Sequence, residues 1–559
     1  MDKTVIGLDY GTLSARAVLV DVDNGIILAD CVFEYPHGVM DEQLPDGTRL
    51  GVNWALQYPK DYSDALQYLI PAVMKKAGVD NRQVIGLGID FTACTVLPVD
   101  TQGIPLCYYD TFKSRPHSYV KLWKHHAAQY EADRINRLAR DRNEEFIRRY
   151  GGKISSEWLL PKVMQILDED PEIYESMDEF MEAGDWIARL ITGSSSRSSC
   201  MAGYKGIWHK KEGYPTKEFL RALDDRLERL FEDKLQGNVL PTGTKVGTIH
   251  SEGAKITGLR EGTAVAVPVI DAHAAVPAVG ITKPGKMFMI MGTSACHMLL
   301  SDREIHVPGI SGVVEDGIIP GYYGYEAGQA CLGDHFAWFA ENCCPALYEQ
   351  QAKENNMKKL AWLDEKASQL KPGESGLLAL DWWNGNRSVL VDADLSGIVV
   401  GCTLQTKPEE IYRALVEATA FGTKMIIETF KENGIPVREI IAAGGIAVKS
   451  PFVMQLFADV LGLEITVNKT LQIGALGAAM FGAVAAGYDK GGYDRISEAA
   501  EHMIGEEVVL YTPIKEYTKI YESLYEEYKL LHDYFGRGKN NVMKRLKEWK
   551  SNTDMIEVP

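Results

Sequence analysis

The sequence predicts an α/β protein built from two related halves with a ligand cleft between them, and three observations carry that prediction. VIGLDYGTLSARAVLVDVDNGIIL near the start and KMFMIMGTSACHMLLSDREI from Lys286 share one plan: an apolar run, a Gly-Thr turn with Ser-Ala close by, and a second apolar run. Each reads as strand, tight turn, strand. Gly11 and Gly292 lie 281 residues apart in a chain of 559, the spacing of a duplicated domain, against the alternative that one short hairpin resembles another by chance. In the second half REIIAAGG, SPFVMQLFADVLG and LEITV follow as strand, helix and strand, a βαβ unit and hence a parallel sheet. Composition completes the case: 46% hydrophobic and 24% charged residues are ordinary for a globular protein, and 559 residues at ~100–200 per domain make two to four domains.

The remaining elements follow in order. After the first hairpin, GLGIDFTACTVLPVD sets Asp90, Thr92 and Ala93 just beyond a strand, where α/β proteins tend to hold ligands. EWLLPKVMQILDEDPEIY and DEFMEAGDWIARLITG read as helices, the second stopping at Gly193. Pro408 opens a helix whose Ile411, Leu415, Ala418, Met425 and Phe430 roughly keep helical spacing to near Gly434, and Gly422 in its middle implies a close neighbour. Pro451 lies in the first turn of the next helix. IGALGAAMFGAVAAGY, from Ile473 to Tyr488, falls short of the ~20 apolar residues that span a bilayer and is full of Gly and Ala, so it reads as a closely packed internal helix. The tail from Ile514 to Lys550 is charged and helix-compatible.

Charge and cysteine usage exclude several classes of function. A net charge of −18 argues against nucleic acid or an anionic membrane as the main partner, since both call for a basic surface. A local basic pocket for a phosphate is compatible with it. No secretion signal is visible in MDKTVIGLDYG, and nine cysteines without a CxxC pair suit reduced thiols in the cytoplasm. Gly280 to Met287, GITKPGKM, has P-loop spacing until a final hydroxyl is required; Met287 lacks one, and Pro284 removes a backbone donor.

Four places carry candidate chemistry. Asp9 ends an apolar strand and is followed by Tyr10-Gly11-Thr12, so its carboxylate stands beside backbone donors and the Thr12 and Ser14 hydroxyls. A local β-turn is the alternative. The matching Gly292-Thr293-Ser294 turn favours two loops that hold a nucleotide's phosphates from both sides, with Asp9 holding Mg²⁺ or its waters. Asp271 sits in AVAVPVIDAHAAVPAVG, where a lone carboxylate is costly unless it caps a helix starting at Ala272, pairs, or acts as a base toward a substrate hydroxyl. His273 beside it reads as a packed core residue. GYYGYEAGQACLGDHFAWF sets Glu326 among aromatic and small residues, a composition suited to a sugar site or to a glycine-rich turn, and Lys205 reads equally as a surface cation.

GLDYGTLSARA, GIDFTACTVLPVD, WLLPKVMQILDEDPEIY, EAGDWIARLITG, VIDAHAA, MGTSACHM, GYEAGQA, LSGIVVGCTL and AAGGIAVKSPFVMQLFADVLG stand in the order found in the FGGY family of sugar kinases, which the chain resembles from about Val5 to Tyr488. The resemblance implies two actin-like ATPase (ribonuclease H-like) domains related by duplication, residues 1–281 and 282–559, with a helical tail from about 490. The cleft between them would take ATP, Mg²⁺ and a sugar. Carried over, Asp9 resembles the metal-associated carboxylate, Gly11, Thr12, Ser14 and Arg16 the first phosphate loop, and Gly292, Thr293 and Ser294 the second. Gly444, Gly445 and Ser450 resemble the adenosine segment, Asp271 the catalytic base, and Ala93, Lys205 and Glu326, with Asp271, the sugar site.

FTACT resembles the ribulose-phosphorylating branch, which implies L-ribulose going to L-ribulose 5-phosphate in L-arabinose catabolism. Xylulose kinases carry a Gln-Met-His segment at this place, and glycerol kinases begin with Gly-Thr-Thr-Ser where this chain has Gly11-Thr12-Leu13-Ser14. D-ribulose, xylulose and ribitol stay open as substrates, and a homodimer is compatible. The family signature often has Trp shortly after the lysine of its Pro-Lys pair, whereas Lys162 is followed by Val163, Met164 and Gln165. Actin-like domains also serve assembly and chaperone proteins, which would not need the set Ala93, Lys205, Asp271 and Glu326.

Overall fold

TVIGLDY is apolar on both faces and cannot be left half exposed, and it forms β1 (Thr4–Tyr10), buried along almost its whole length. The computed structural model describes residues 3–470, 472–505 and 507–553. β1 turns at Gly11 into β2 (Ser14–Asp21), which pairs with β3 (Ile27–Glu34); both pairings are antiparallel. A helix, α1 (Pro59–Ala77), then carries the chain back to β4 (Val84–Phe91), parallel to β1, as a parallel pairing requires. β5 (Lys245–Thr248), β6 (Ala264–Ala266) and β7 (Val269–Ile270) complete the sheet, whose order is β5-β6-β4-β1-β2-β3 with β7 also on β4.

The second half repeats this plan. β8 (Lys286–Met291) and β9 (Ala295–Ser301) form the hairpin, β10 (Gly312–Glu315) and β11 (Tyr323–Gln329) follow, and β12 (Glu439–Ala443), β13 (Ile465–Asn468) and β14 (Val508–Tyr511) lie on the other side. β3-β2-β1-β4-β6-β5 and β11-β9-β8-β12-β13-β14 match in position, although the edge strand β5 precedes its neighbour β6 in the chain whereas β14 follows β13. In each the first two pairings are antiparallel, the next two parallel and the last antiparallel. The duplicated hairpin is thus the visible part of a duplicated sheet, and the fold is the two-domain actin-like ATPase plan.

The helical segments differ from expectation in three details. EWLLPKVMQILDEDPEIY is α2 (Leu159–Glu169) and a short helix Pro171–Ser176, divided at Asp170, whose side chain caps the second piece. In DEFMEAGDWIARLITG the first four helix-compatible residues, Glu179–Glu182, form a strand on Val96–Val99, and α3 (Ala183–Thr192) starts only after it. A buried partner strand outweighs local helix propensity there. The tail expected to be helical from about 490 also gives β14 (Val508–Tyr511) to the second sheet, where pairing with β13 takes it, and only then forms two helices, Lys515–Gly536 and Val542–Thr553. The nine cysteines are all free thiols, and among the described residues no helix is long and apolar enough to cross a membrane.

Three further helices matter for the site. α4 (Asp271–Ala278) follows β7, α5 (Pro408–Glu432) crosses over to β12, and α6 (Pro451–Leu461) joins β12 to β13. Gly422 in α5 has the close neighbour expected: a methyl group there would stand 2.6 Å from Gln329 Nε2. The small-residue run forms α7 (Ile473–Ala486), which belongs to the second half in sequence but packs on β1 and β4 of the first sheet and on α4. Gly7, Gly86 and Gly88 let its backbone lie directly on the strands, because a methyl group at any of them would overlap a carbonyl oxygen of α7.

Candidate active site

Strand register brings the candidate carboxylates together. Parallel pairing sets Asp9 of β1 beside Asp90 of β4, β7 aligns Val269 with Asp90, and Asp271 follows two residues later as the first residue of α4. Three carboxylates therefore gather at the carboxyl ends of adjacent parallel strands, where α/β sheets hold ligands. The N-terminus of α7 faces them: a methyl group on Gly474 would stand 3.5 Å from Asp90 Oδ2 and 3.8 Å from Asp9 Oδ2, so the helix end places partial positive charge against the cluster. Arg16 Nη1 lies 3.5 Å from Asp9 Oδ2.

Crowding shifts the acidities. Burial, then the charges of Asp9 and Asp271, hold the Asp90 carboxyl well above the usual range, and a hydrogen bond shared with Asp9 adds to the shift. Burial raises Asp9 despite Arg16. Burial and the charge of Asp9 push Asp271 up to about 7. The capping reading of Asp271 is corrected: Ile270 is the N-cap, and Asp271, already helical, accepts a 2.6 Å bond from the next amide, Ala272 N–H. Its carboxyl is half-buried.

The two turns are built alike. Gly11 N–H donates to Ser14 O and Gly292 N–H to Ser294 O, both at 3.0 Å. Trp123 Nε1 donates to Thr12 Oγ1 at 3.0 Å and Gln57 Nε2 to Thr12 O at 2.7 Å, which leaves the Thr12 hydroxyl proton free to donate. Ser14 is buried at the start of β2, whereas Thr293 is exposed and Ser294 half-buried. Gly444, with φ +99°, rests on Met291 just before the second turn; a methyl group there would stand 2.5 Å from the Met291 carbonyl oxygen. Gly445 is exposed with open space over its Cα, and Ser450 caps α6 by accepting from Val453 N–H. Of the adenosine-segment candidates, Gly444 therefore lies against the residue that leads into the second turn, while the Ser450 hydroxyl oxygen is engaged in the cap.

Lys205 and Glu326, from opposite halves, form an ion pair at 2.9 Å, and His273 Nε2 lies 3.2 Å from the other Glu326 oxygen. Burial opposes ionisation of Glu326, but the Lys205 ammonium and His273 hold its carboxyl well below the usual range. Lys205 also stands 5.4 Å from the Trp158 ring centroid. His273 is fully buried and stacked on Tyr204, the packed residue expected. Ala93 is half-buried beside the wholly buried Cys94–Thr95 stretch. Sequence reasoning missed what holds that loop: Lys162 Nζ, wholly buried, donates to Cys94 O at 2.7 Å and to Leu122 O at 2.9 Å. One ammonium thereby ties the Ala93 loop to the segment whose Trp123 holds Thr12. The Pro-Lys pair in α2 was its only signal; Gln57, Trp123 and Gly474 carried none.

Residues 4–278 match the N-terminal domain of the FGGY family of carbohydrate kinases, and residues 287–486 match its C-terminal domain. The chain is 58% identical over 549 residues to the ribulokinase of Geobacillus thermodenitrificans, covering 98% of this chain and 97% of that protein. It is 57% identical over 556 residues to the ribulokinase of Anoxybacillus flavithermus, covering 99% of this chain and 98% of that one. Among solved structures, the xylulose kinase from Rhodospirillum rubrum superposes with a TM-score of 0.76 over 95% of this chain and 98% of its own at 21% identity, a likeness of fold.

Proposed function

The chain belongs to the FGGY family of carbohydrate kinases, and from that premise we propose that it transfers the γ-phosphate of ATP to L-ribulose, giving L-ribulose 5-phosphate for L-arabinose breakdown. The observation that carries the chemistry is the half-buried carboxyl of Asp271 within electrostatic reach of both Asp9 and Glu326. In this reading Asp271 takes the proton of the attacking hydroxyl and aligns that oxygen on the γ-phosphorus. Lys205, Glu326 and Ala93 orient the sugar, a neutral ligand for which an ion pair with spare lone pairs and N–H donors is suited.

The turns at Gly11-Thr12-Ser14 and Gly292-Thr293-Ser294 supply backbone N–H groups and hydroxyls to the phosphates, with Arg16 beside the first, while Gly444, Gly445 and Ser450 border the adenosine. The donor chemistry fits a hard cation: Asp9 offers carboxylate oxygens that are only partly buried, at the carboxyl end of β1. In this reading Mg²⁺ is kept by Asp9, waters and substrate phosphates. Bound there, Mg²⁺ would neutralise charge building on the phosphates.

We further assign the first half, 1–281, to the sugar side, first turn and base, and 282–559 to the second turn and adenosine. We place the enzyme in the cytoplasm with neither nucleic acid nor membrane as partner, consistent with its −18 charge, and a homodimer is the oligomer to test. The experiment is phosphorus NMR of the protein with Mg·ATP and either ribulose enantiomer. L-ribulose should give a phosphate monoester at C5. Product only from D-ribulose, xylulose or ribitol moves the substrate assignment, and ATP hydrolysis indifferent to every sugar favours an actin-like assembly ATPase.

A further inference from the structure

Arg387 is a cation of this site that no protein group answers. Among the described residues its guanidinium has no hydrogen-bond partner and no carboxylate within 4 Å, although it is only half exposed. Its place is fixed by β11. A methyl group on Gly328 would stand 3.4 Å from Arg387 Cδ and 3.6 Å from Nη1, so the side chain lies over Gly328, and the neighbouring Ser388 Oγ accepts from Gly328 N–H at 3.2 Å. Gly328 is two residues from Glu326 on the same face of β11, and opposite it in register is Cys296, two residues beyond Ser294 of the second turn. The guanidinium thus stands where the sugar-side carboxylate and the phosphate turn converge. Glu157 and Glu326 are its acidic neighbours at longer range, and Glu326 is already engaged by Lys205.

A partly buried cation without a partner is costly unless a ligand discharges it. A neutral sugar cannot do so, whereas phosphoryl oxygens match the planar N–H fork in charge and geometry. We propose that Arg387 is a catalytic residue that grips the phosphoryl group in transit between nucleotide and sugar. The proposal rests on the kinase reading above. In the step, the sugar hydroxyl gives its proton to Asp271 and its oxygen bonds to the γ-phosphorus. The bond from that phosphorus to the β–γ bridging oxygen breaks, and ADP leaves. Arg387 donates hydrogen bonds to the non-bridging oxygens throughout and neither gains nor loses a proton.

The test uses the full-length protein with Arg387→Met and Arg387→Lys, comparing kcat with calorimetric affinities for ribulose, for ribulose 5-phosphate and for a non-hydrolysable ATP analogue, beside a thermal melt. Arg387→Met should lower kcat by ~10²–10³-fold, as loss of a charge-stabilising donor does. It should weaken the phosphate ester, the analogue or both by about tenfold or more while leaving ribulose affinity within about threefold, and Arg387→Lys should recover part of the loss. Loss confined to the analogue or to the ester tells on which side of transfer the grip is tighter. A kcat within about threefold of the parent, or ribulose affinity falling as far as ester affinity, overturns the proposal. If the parent phosphorylates a different sugar, the same comparison is made with that sugar and its ester; if it phosphorylates none, the kinase reading has failed and Arg387 with it.

Discussion

Lys205 Nζ and Glu326 Oε1 meet at 2.9 Å, a cation from the first half of the chain closing on a carboxylate from the second, with each side chain only 12% exposed. Because the pair is largely desolvated, removing one partner strands the other, which costs about 3–5 kcal/mol in comparable buried pairs. Glu326→Gln is therefore expected to raise KM for ribulose at least tenfold with a smaller effect on kcat, and Lys205→Met to do the same. The double variant should be more stable than the sum of the single losses, read from urea melts. Strict additivity would show that the two groups do not act as a pair.

The seat of α7 gives a second expectation. A methyl group on Gly88 would overlap the Ala478 carbonyl, and both partners are backbone, so neither can rotate away. Gly88→Ala should destabilise by about 3 kcal/mol or more, at the upper end for overpacking, and should disturb the carboxylate cluster that α7 faces. Gly445→Ala, with open space over its Cα and no positive φ, should melt within about 0.5 kcal/mol of the parent. Equal melting of the two variants would contradict this packing.

How much of this was legible in the sequence depended on the range of the interaction. The hairpins at Gly11 and Gly292 declared themselves because strand, turn and strand are local, and from them the duplicated sheet followed. Asp9, Asp271 and the two turns could be named for the same reason. Asp90 read as lying just beyond a strand, whereas it lies inside β4, the residue before its end, and its neighbours come from register between segments some 80 and 180 residues apart, which no local pattern encodes. The strand Glu179–Glu182 read as helix because its partner Val96–Val99 lies far back in the chain. Nothing local distinguishes Lys162 or Arg387 from other cations by their contacts, since a lysine on two carbonyls and an arginine on none differ only in three dimensions.

Lys121 supplies a pH dependence. It is wholly buried, with Nζ 4.4 Å from the Trp54 ring centroid, and burial pulls its pKa down to about 7 from 10.5. Between those values the unfolded chain binds a proton that the folded chain does not, so this group makes stability rise with pH across that window. Its cost is fully present below about pH 7 and fades toward pH 10.5. Lys121→Met should be more stable than the parent by a few kcal/mol at pH 6.5, with the difference shrinking at pH 9. A difference that does not change with pH would count against a buried, depressed lysine.

The central claim is that Asp271 acts as the base rather than as a structural carboxylate, and steady-state kinetics of Asp271→Asn beside a thermal melt test it most directly. The substitution keeps the shape of the side chain and removes the group that takes the proton. General base catalysis is worth about 10²–10⁴-fold, whereas loss of a helix-terminal contact costs ~1 kcal/mol of stability and leaves the folded enzyme's turnover near normal. The account predicts a kcat lower by at least about 10²-fold, a ribulose KM within a few-fold of the parent and little change in melting. Turnover within about threefold of the parent would contradict it and leave Asp271 a structural residue at the start of α4.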